Sequence, residues 1–294
     1  MADIVETLNL KKTYGVVEAV RGINLRVVAH SVCAFLGQNG AGKSTTLRML
    51  MGMIRPTTGT GRIFGLDITK EEESVRIRER AAFVAEDKRL YEYMTVAQIL
   101  RFTRSFFPTW REDLEQRLLK QFELPLDRKI RKLSKGMRTK IALLLAFARG
   151  NDLLILDEPT EGLDPVAIEQ VLQTIVALVA EGTTVFFSSH QIAEVEQIAD
   201  HVIMIDQGKI VLDASMDRVK NEYRHIQVVF SKPVGTREFD FAGVERVYTE
   251  GPVVSVIASR NVDEIVERFR DMQANNIDVA PLSLKEIFLE TVKG

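Results

Sequence analysis

The sequence has little that would brace it covalently or hold it in a membrane. Its 294 residues include one cysteine, Cys33, so no internal disulfide can form and a reducing compartment fits. The longest unbroken apolar run goes only from Ile141 to Ala148, far short of the about 20 residues that a spanning helix needs. Met1 to Leu10 carries Asp3 and Glu6 and lacks the apolar stretch of a secretory signal. Neither sign of charge dominates: 39 Lys and Arg stand against 41 Asp and Glu, a net charge of −2. That balance excludes a molecule that binds nucleic acid or anionic lipid by its overall field, and leaves only local basic patches. There is no low-complexity tract and no internal repeat. The chain is expected to be soluble and cytoplasmic, acting at a membrane only through another polypeptide.

What is present is an ordinary globular composition, 46% apolar and 27% charged. At about 150 residues per domain the length predicts two domains, or one with an appendage, and a core large enough to need no disulfide. Ser31 to Leu36 reads as a buried strand running into a loop at Gly37. The segment after Lys43 has helical spacing and is expected to stop near Arg55-Pro56. Pro56 to Gly65, with Gly59, Gly61 and Gly65, reads as turns. Thr95 to about Arg149 reads as mostly helical, interrupted by Pro108 and Pro125. Further on come a strand at Leu153 to Leu156, a proline-initiated helix from Pro165 to Glu181 and a strand at Thr183 to Phe187. A short helix over Ile192 to Ala199 precedes a hairpin of His201 to Ile205 with Lys209 to Leu212. Alternating strands and helices predict an α/β core with a largely parallel sheet. After about Val219 the pattern changes. Strands at His225 to Phe230, Val253 to Ala258 and Ile277 to Ala280 and helices at Val262 to Ala274 and Ser283 to Val292 predict a small α+β accessory domain over 222–294.

Gly37-Gln-Asn-Gly-Ala-Gly-Lys-Ser44 matches the phosphate-binding pattern G-x-x-x-x-G-K-[ST], between a strand and a helix as that pattern requires. Glycines let backbone N–H groups converge on a phosphate, and the helix opening near Gly42 adds its N-terminal dipole. Lys43 would reach the β- and γ-phosphates and the Ser44 hydroxyl would ligate Mg²⁺, with Thr45 placed for a further phosphate contact. Leu153-Leu-Ile-Leu-Asp-Glu158 is an aliphatic strand ending in two acids, at the end of the sheet where α/β proteins hold ligands. Asp157 would reach the Mg²⁺ water shell and Glu158 would accept a proton from the water attacking the γ-phosphate.

With these two segments the chain resembles the ATP-binding cassette (ABC) ATPases over about residues 4–217. Tyr14, in Lys12-Thr-Tyr-Gly15, stands where that family stacks an aromatic ring on adenine. Gly37 to Thr45, with Asn39, Gly40 and Gly42, corresponds to Walker A, and Leu153 to Glu158 to Walker B. Leu133-Ser-Lys-Gly-Met137 is similar to the LSGGQ signature, Glu161-Gly-Leu-Asp164 to the D-loop, and His190 in Ser188-Ser-His to the switch histidine. The resemblance implies a P-loop NTPase fold of the ABC type in 1–217. Its core would be a mixed sheet with a helical subdomain over about 88–149, followed by the accessory domain. It also implies a head-to-tail homodimer around two Mg-ATP, with Ser134 and Gly136 of one copy facing the γ-phosphate held by the other. Catalysis would rest on Glu158, His190 and Lys43, nucleotide contact would extend to Asp164, and metal contact to Ser44, Asp157 and Glu86.

The pattern departs from the family at three positions. Glu86 stands where a glutamine is usual, and Lys135 and Met137 replace a glycine and a glutamine of the signature. Arg128, Lys129, Arg131, Lys132, Lys135, Arg138 and Lys140 make this stretch basic, which fits either a solvated helix face or added attraction for a partner's triphosphate. The departures, and Ser283-Leu-Lys-Glu-Ile-Phe288 near the end, are similar to cassettes that serve type-2 exporters (multidrug, lantibiotic or peptide export). Tyr91, Tyr93, Met94, Phe102, Phe106, Phe107 and Trp110 either pack the helical subdomain or form a groove for a short helix of a membrane subunit. His30, His201 and His225 read as structural, and Cys33 as a core thiol. The implied function is ATP hydrolysis driving a separate transmembrane permease, on the inner face of the cell membrane, with no nucleic acid partner. Two alternatives stay open: a soluble ABC ATPase acting on nucleic acid or ribosomes, and a weakly hydrolysing, nucleotide-gated regulatory subunit.

Overall fold

The structure is a computed structural model that describes residues 3–292 apart from 233, 234, 236–238 and 240. The chain begins with β1 (Asp3–Tyr14), β2 (Val17–Ile23) and β3 (Arg26–Val28). Then follow β4 (Val32–Leu36), α1 (Lys43–Leu50), β5 (Thr58–Ile63), β6 (Leu66–Asp67), α2 (Glu71–Arg80) and β7 (Ala81–Val84). The middle is helical, with α3 (Val96–Arg104), α4 (Glu112–Gln121) and α5 (Lys135–Phe147). β8 (Leu153–Asp157), α6 (Pro165–Ala180), β9 (Thr184–Ser189), α7 (Ile192–Ile198), β10 (His201–Asp206) and β11 (Lys209–Ser215) follow. Two compact units result, Met1–Asp213 and Ala214–Gly294; the division falls inside β11, a few residues before the expected boundary at 217.

In the first unit β4, β8 and β9 are buried at every position, as strands covered on both faces must be. They form the centre of a six-stranded sheet of order β11-β10-β4-β9-β8-β7, in which β10, β4, β9, β8 and β7 run parallel. A second, antiparallel sheet has the order β2-β1-β5-β6, with β3 also on β1. One apolar cluster joins Phe35, Ile155 and Phe186 of the first sheet, Val5, Leu10 and Ile63 of the second, and Leu47 and Leu50 of α1. In the middle, Thr95 and Gln98 close a capping box at the start of α3.

The second unit holds α8 (Met216–Glu222), β12 (Arg224–Val229), β13 (Val244–Glu250), β14 (Val253–Ala258), α9 (Val262–Asp271), β15 (Asn276–Pro281) and α10 (Leu284–Val292). Its sheet is antiparallel in the order β13-β14-β12-β15. Ile265 and Phe269 of α9 pack on Ile226, Val228, Val254 and Val256 of this sheet.

Several expectations need correction. Pro56 to Gly65 is not a run of turns, because Thr58–Ile63 pairs with β1 (Leu8 opposite Thr60, Val5 opposite Ile63); a partner strand distant in sequence overrides weak local propensity. The helix after Lys43 ends at Leu50, where Met51 forms the C-cap. The N-terminal sheet, α2, α8 and β13 also lie outside the sequence reading.

Candidate functional site

The register of three parallel strands builds the site. Asp157 lies opposite Ser188 and Leu36 opposite Ser189, so the ends of β4, β8 and β9 deliver the P-loop, the acidic pair and His190 to one place. Gly42 caps α1 at φ 113, and a Cβ there would come within 2.5 Å of the Ala19 carbonyl. Only glycine fits where the P-loop crosses β2 this closely.

Lys43 is 5% exposed. Its Nζ donates to the carbonyls of Gly37 (2.7 Å) and Gln38 (3.2 Å) and lies 3.2 Å from Glu158 Oε1. Glu158 Oε2 is 2.9 Å from His190 Nδ1. The Glu158 backbone has φ 49, a left-handed conformation that a residue with a Cβ keeps only under constraint. Its N–H donates to Ser188 Oγ at 3.0 Å and its carbonyl accepts from Lys88 Nζ at 2.7 Å. Asp157 is fully buried. Its Oδ1 accepts from Ser44 Oγ (3.1 Å) and Ser188 Oγ (2.7 Å), while its Oδ2 is buried without a hydrogen-bond partner. A hydroxyl beside a carboxylate with a spare buried oxygen is a donor set suited to a hard divalent cation.

Lys43, Ser44, Asp157, Glu158 and His190 are thus brought together, with Gly37 and Gly42 of the P-loop beside Lys43. Tyr14 is half-exposed at the end of β1, with Lys12 Nζ 5.0 Å from its ring centroid. Gly37 is buried; Asn39 and Gly40 are exposed, and Thr45 is intermediate. Ser134 is exposed and caps α5 by accepting from Met137 N–H at 3.2 Å. Gly136 backs onto the D-loop, where a Cβ would lie 2.9 Å from the Gly162 carbonyl. Lys135 reaches Glu161 at 2.6 Å, and this bond holds the Glu161 carboxyl below its ordinary range. Two further expected metal- or nucleotide-binding positions make other contacts in the single chain. Asp164 turns its carboxylate to the N–H of Ala167 at 2.9 Å, capping α6. Glu86 is exposed outside the Ser44–Asp157 cluster and lines a cleft of about 550 Å³ with Arg48, Lys88, Lys135 and Glu161.

The aromatic residues divide. Tyr91, Tyr93, Phe102 and Phe106 form an exposed chain of ring contacts at 5.0 to 5.9 Å. Phe107 instead lines a groove of about 560 Å³ with Phe83, Lys88 and Arg149. Trp110 donates from Nε1 to Glu115 at 2.6 Å. Cys33 is buried in β4, and burial pushes its thiol pKa up. His30 bonds the Gly182 carbonyl and His201 bonds Asp213.

Sequence reasoning missed Ser188, Lys88 and Glu194. The Glu194 carboxylate, 4% exposed, accepts from Thr160 Oγ1 at 2.9 Å and Ser189 Oγ at 3.1 Å, joining the loop after Glu158 to the strand end before His190. Burial raises its pKa. A carboxyl raised in the folded state contributes stability that is complete below the unfolded value, about 4.3, and is lost as pH rises through the folded value. Glu194→Gln keeps an acceptor for both hydroxyls, so its stability relative to the parent should improve as pH rises above about 4.3 and level off once the folded carboxyl has ionised. Urea denaturation from about pH 4 to pH 7.5 checks this, and a difference flat with pH would refute it.

Comparison with known proteins agrees with this geometry. The family model described as "ABC transporter" matches residues 20–161. The bacitracin transport ATP-binding protein BcrA of Bacillus licheniformis is 35% identical over 227 residues, covering 76% of this chain and 74% of that protein. The ABC transporter ATP-binding protein YtrB of Bacillus subtilis is 26% identical over 294 residues, 99% of each chain. Among solved structures, an ATP-binding subunit of an ABC transporter is 29% identical with a TM-score of 0.67, covering 74% of this chain and 92% of that one. The buried P-loop lysine, the strand-end carboxylates and these similarities together make this chain a member of the ABC transporter family, an ATPase of the kind that forms the ATP-binding subunit.

Proposed function

We propose that this chain powers a type-2 exporter by hydrolysing ATP at two composite sites between two copies of itself. The observation that carries the reading is the buried Lys43–Glu158 pair, with the exposed His190 on the other carboxylate oxygen, beside Ser44 and Asp157. Without nucleotide, Lys43 neutralises Glu158. An incoming triphosphate competes for the ammonium, and Lys43 moves its charge to the β- and γ-phosphates. Glu158 Oε1 is then free to take a proton from water as that water attacks the γ-phosphate, giving ADP and inorganic phosphate. His190 holds the other oxygen of the carboxylate and so keeps it aimed. Ser44 and Asp157 would hold Mg²⁺, which when bound neutralises charge on the β- and γ-phosphate oxygens. The backbone N–H groups from Gly37 to Gly42 and the N-terminus of α1 cradle the phosphates, and Tyr14 stacks on adenine. The exposed Ser134, at the N-terminus of α5, faces the γ-phosphate on the opposite copy.

Residues 1–217 serve as the ATP-binding domain and 222–294 as the accessory domain. Among the described residues no helix is long and apolar enough to cross a membrane. Export therefore requires a separate permease, whose short cytoplasmic helix would enter the groove at Phe83 and Phe107 and place the chain on the inner face of the cell membrane. Light scattering on Glu158→Gln with and without Mg-ATP tests the sandwich. The expected result is a monomer that becomes a dimer only with Mg-ATP; a monomer with ATP demonstrably bound would overturn it.

A further inference from the structure

Lys88 joins the site to the rest of the molecule in a way its sequence context conceals. It follows Glu86 and Asp87 in a charged stretch, yet it is only 9% exposed. Its ammonium makes a 2.7 Å hydrogen bond to the carbonyl of Glu158. Two nearby carboxylates are occupied by other cations, Asp87 by Arg89 and Glu161 by Lys135, each at 2.6 Å. The carbonyl is therefore the close partner of a buried positive charge, and hydrogen bonds from charged donors are the strong ones. Burial lowers the lysine pKa, and the fields of Glu161, Asp157 and Glu86 oppose that shift.

Glu158 is thereby hydrogen-bonded at its N–H, its carbonyl and Oε2, while its buried Oε1 has an ion-pair neighbour but no hydrogen bond. Ser188 accepts from its N–H, Lys88 donates to its carbonyl, Lys43 lies at Oε1 and His190 at Oε2. Its φ of 49 is one that such bracing must maintain. Lys88 also lines both the groove with Phe83 and Phe107 and the charged cleft with Glu86 and Lys135. It is thus a direct link from the walls of both cavities to the backbone of Glu158.

We propose that Lys88 is a positioning residue for ATP hydrolysis: by fixing the Glu158 peptide it aims the carboxylate. The inference rests on the reading of Glu158 as the proton acceptor. The test is steady-state ATP turnover of the full chain as parent, Lys88→Met, Lys88→Arg, Glu158→Gln and the Lys88→Met/Glu158→Gln double variant, with ATP affinity titrated separately. Lys88→Met should lower kcat by about 10- to 100-fold with KM and ATP affinity within about twofold of the parent. Lys88→Arg, which can still donate to the carbonyl, should recover most of the loss. The double variant should be no slower than Glu158→Gln alone, because both changes remove one function.

A parental kcat in Lys88→Met, or arginine and methionine variants equally impaired with raised KM, would overturn the inference while leaving Glu158 in its role. Full turnover in Glu158→Gln would instead remove the reading on which the inference depends. Should Lys88→Met fail to fold, the arginine variant and its affinity titration still decide between positioning and a merely structural role.

Discussion

Glu158→Gln should lower ATP turnover by about 10²- to 10⁴-fold, the range that a positioned general base supplies, while ATP still binds. The substitution preserves size and keeps an oxygen for His190, so the 2.9 Å contact to the imidazole can persist. What it removes is the ability to take a proton. It also removes the negative partner of Lys43, which in the nucleotide-free chain sits 3.2 Å away. The triphosphate then no longer competes with a carboxylate for that ammonium, so ATP affinity should hold or rise. Single-turnover phosphate release and equilibrium nucleotide titration measure the two effects independently. A variant that releases phosphate at the parental rate would remove Glu158 from the chemistry.

Lys43→Met should act in the opposite order, losing nucleotide affinity first. The ammonium is the one cation among the described residues within ion-pair distance of Glu158, apart from His190. Both side chains are under a tenth exposed, 5% and 7%. Removing one member of such a buried pair leaves an uncompensated charge and costs about 3–5 kcal/mol. Lys43→Met should therefore be less stable than the parent in the absence of nucleotide, and it should bind ATP poorly. Adding Glu158→Gln removes the stranded charge, so the double variant should regain stability without regaining turnover. Denaturant unfolding of the parent, both single variants and the double variant separates these contributions. A stability cost that persists unchanged in the double variant would mean that the ion pair is not its source.

The chemistry of the site was more legible than its mounting. The P-loop spacing, the apolar strand ending in Asp157 and Glu158, and the strand end at His190 are local patterns, because each needs only its immediate neighbours to be what it is. The strands buried on both faces are equally local, since Leu153 to Asp157 and Val32 to Leu36 announce themselves by composition. The second sheet was not legible. Thr58–Ile63 carries two glycines that mask the strand preference of Thr58, Thr60 and Ile63, and its pairing with β1 and β6 makes it a strand. Asp164 had an equally ambiguous context. Its place before Pro165 suits a helix cap as well as a nucleotide contact, and in the structure one carboxylate oxygen accepts from Ala167 N–H as that cap.

By itself the sequence determined that this chain carries the glycine-rich phosphate-binding pattern, has two carboxylates at the end of a buried strand, and has an α/β core followed by a smaller accessory unit. Those properties follow from residue spacing along a continuous stretch. Only the tertiary structure decided that Lys43 rests on Glu158, that Ser188 and Lys88 brace the Glu158 backbone, and that Glu194 ties together the loops bearing Glu158 and His190. All but the Ser189–Glu194 bond join groups 30 or more positions apart, 70 in the case of Lys88 and 115 between Lys43 and Glu158. A charged residue in a loop looks the same in sequence whether it points to water or folds back into the core. The physical reason is that burial and partner are set by the register of strands that meet only after the chain has folded.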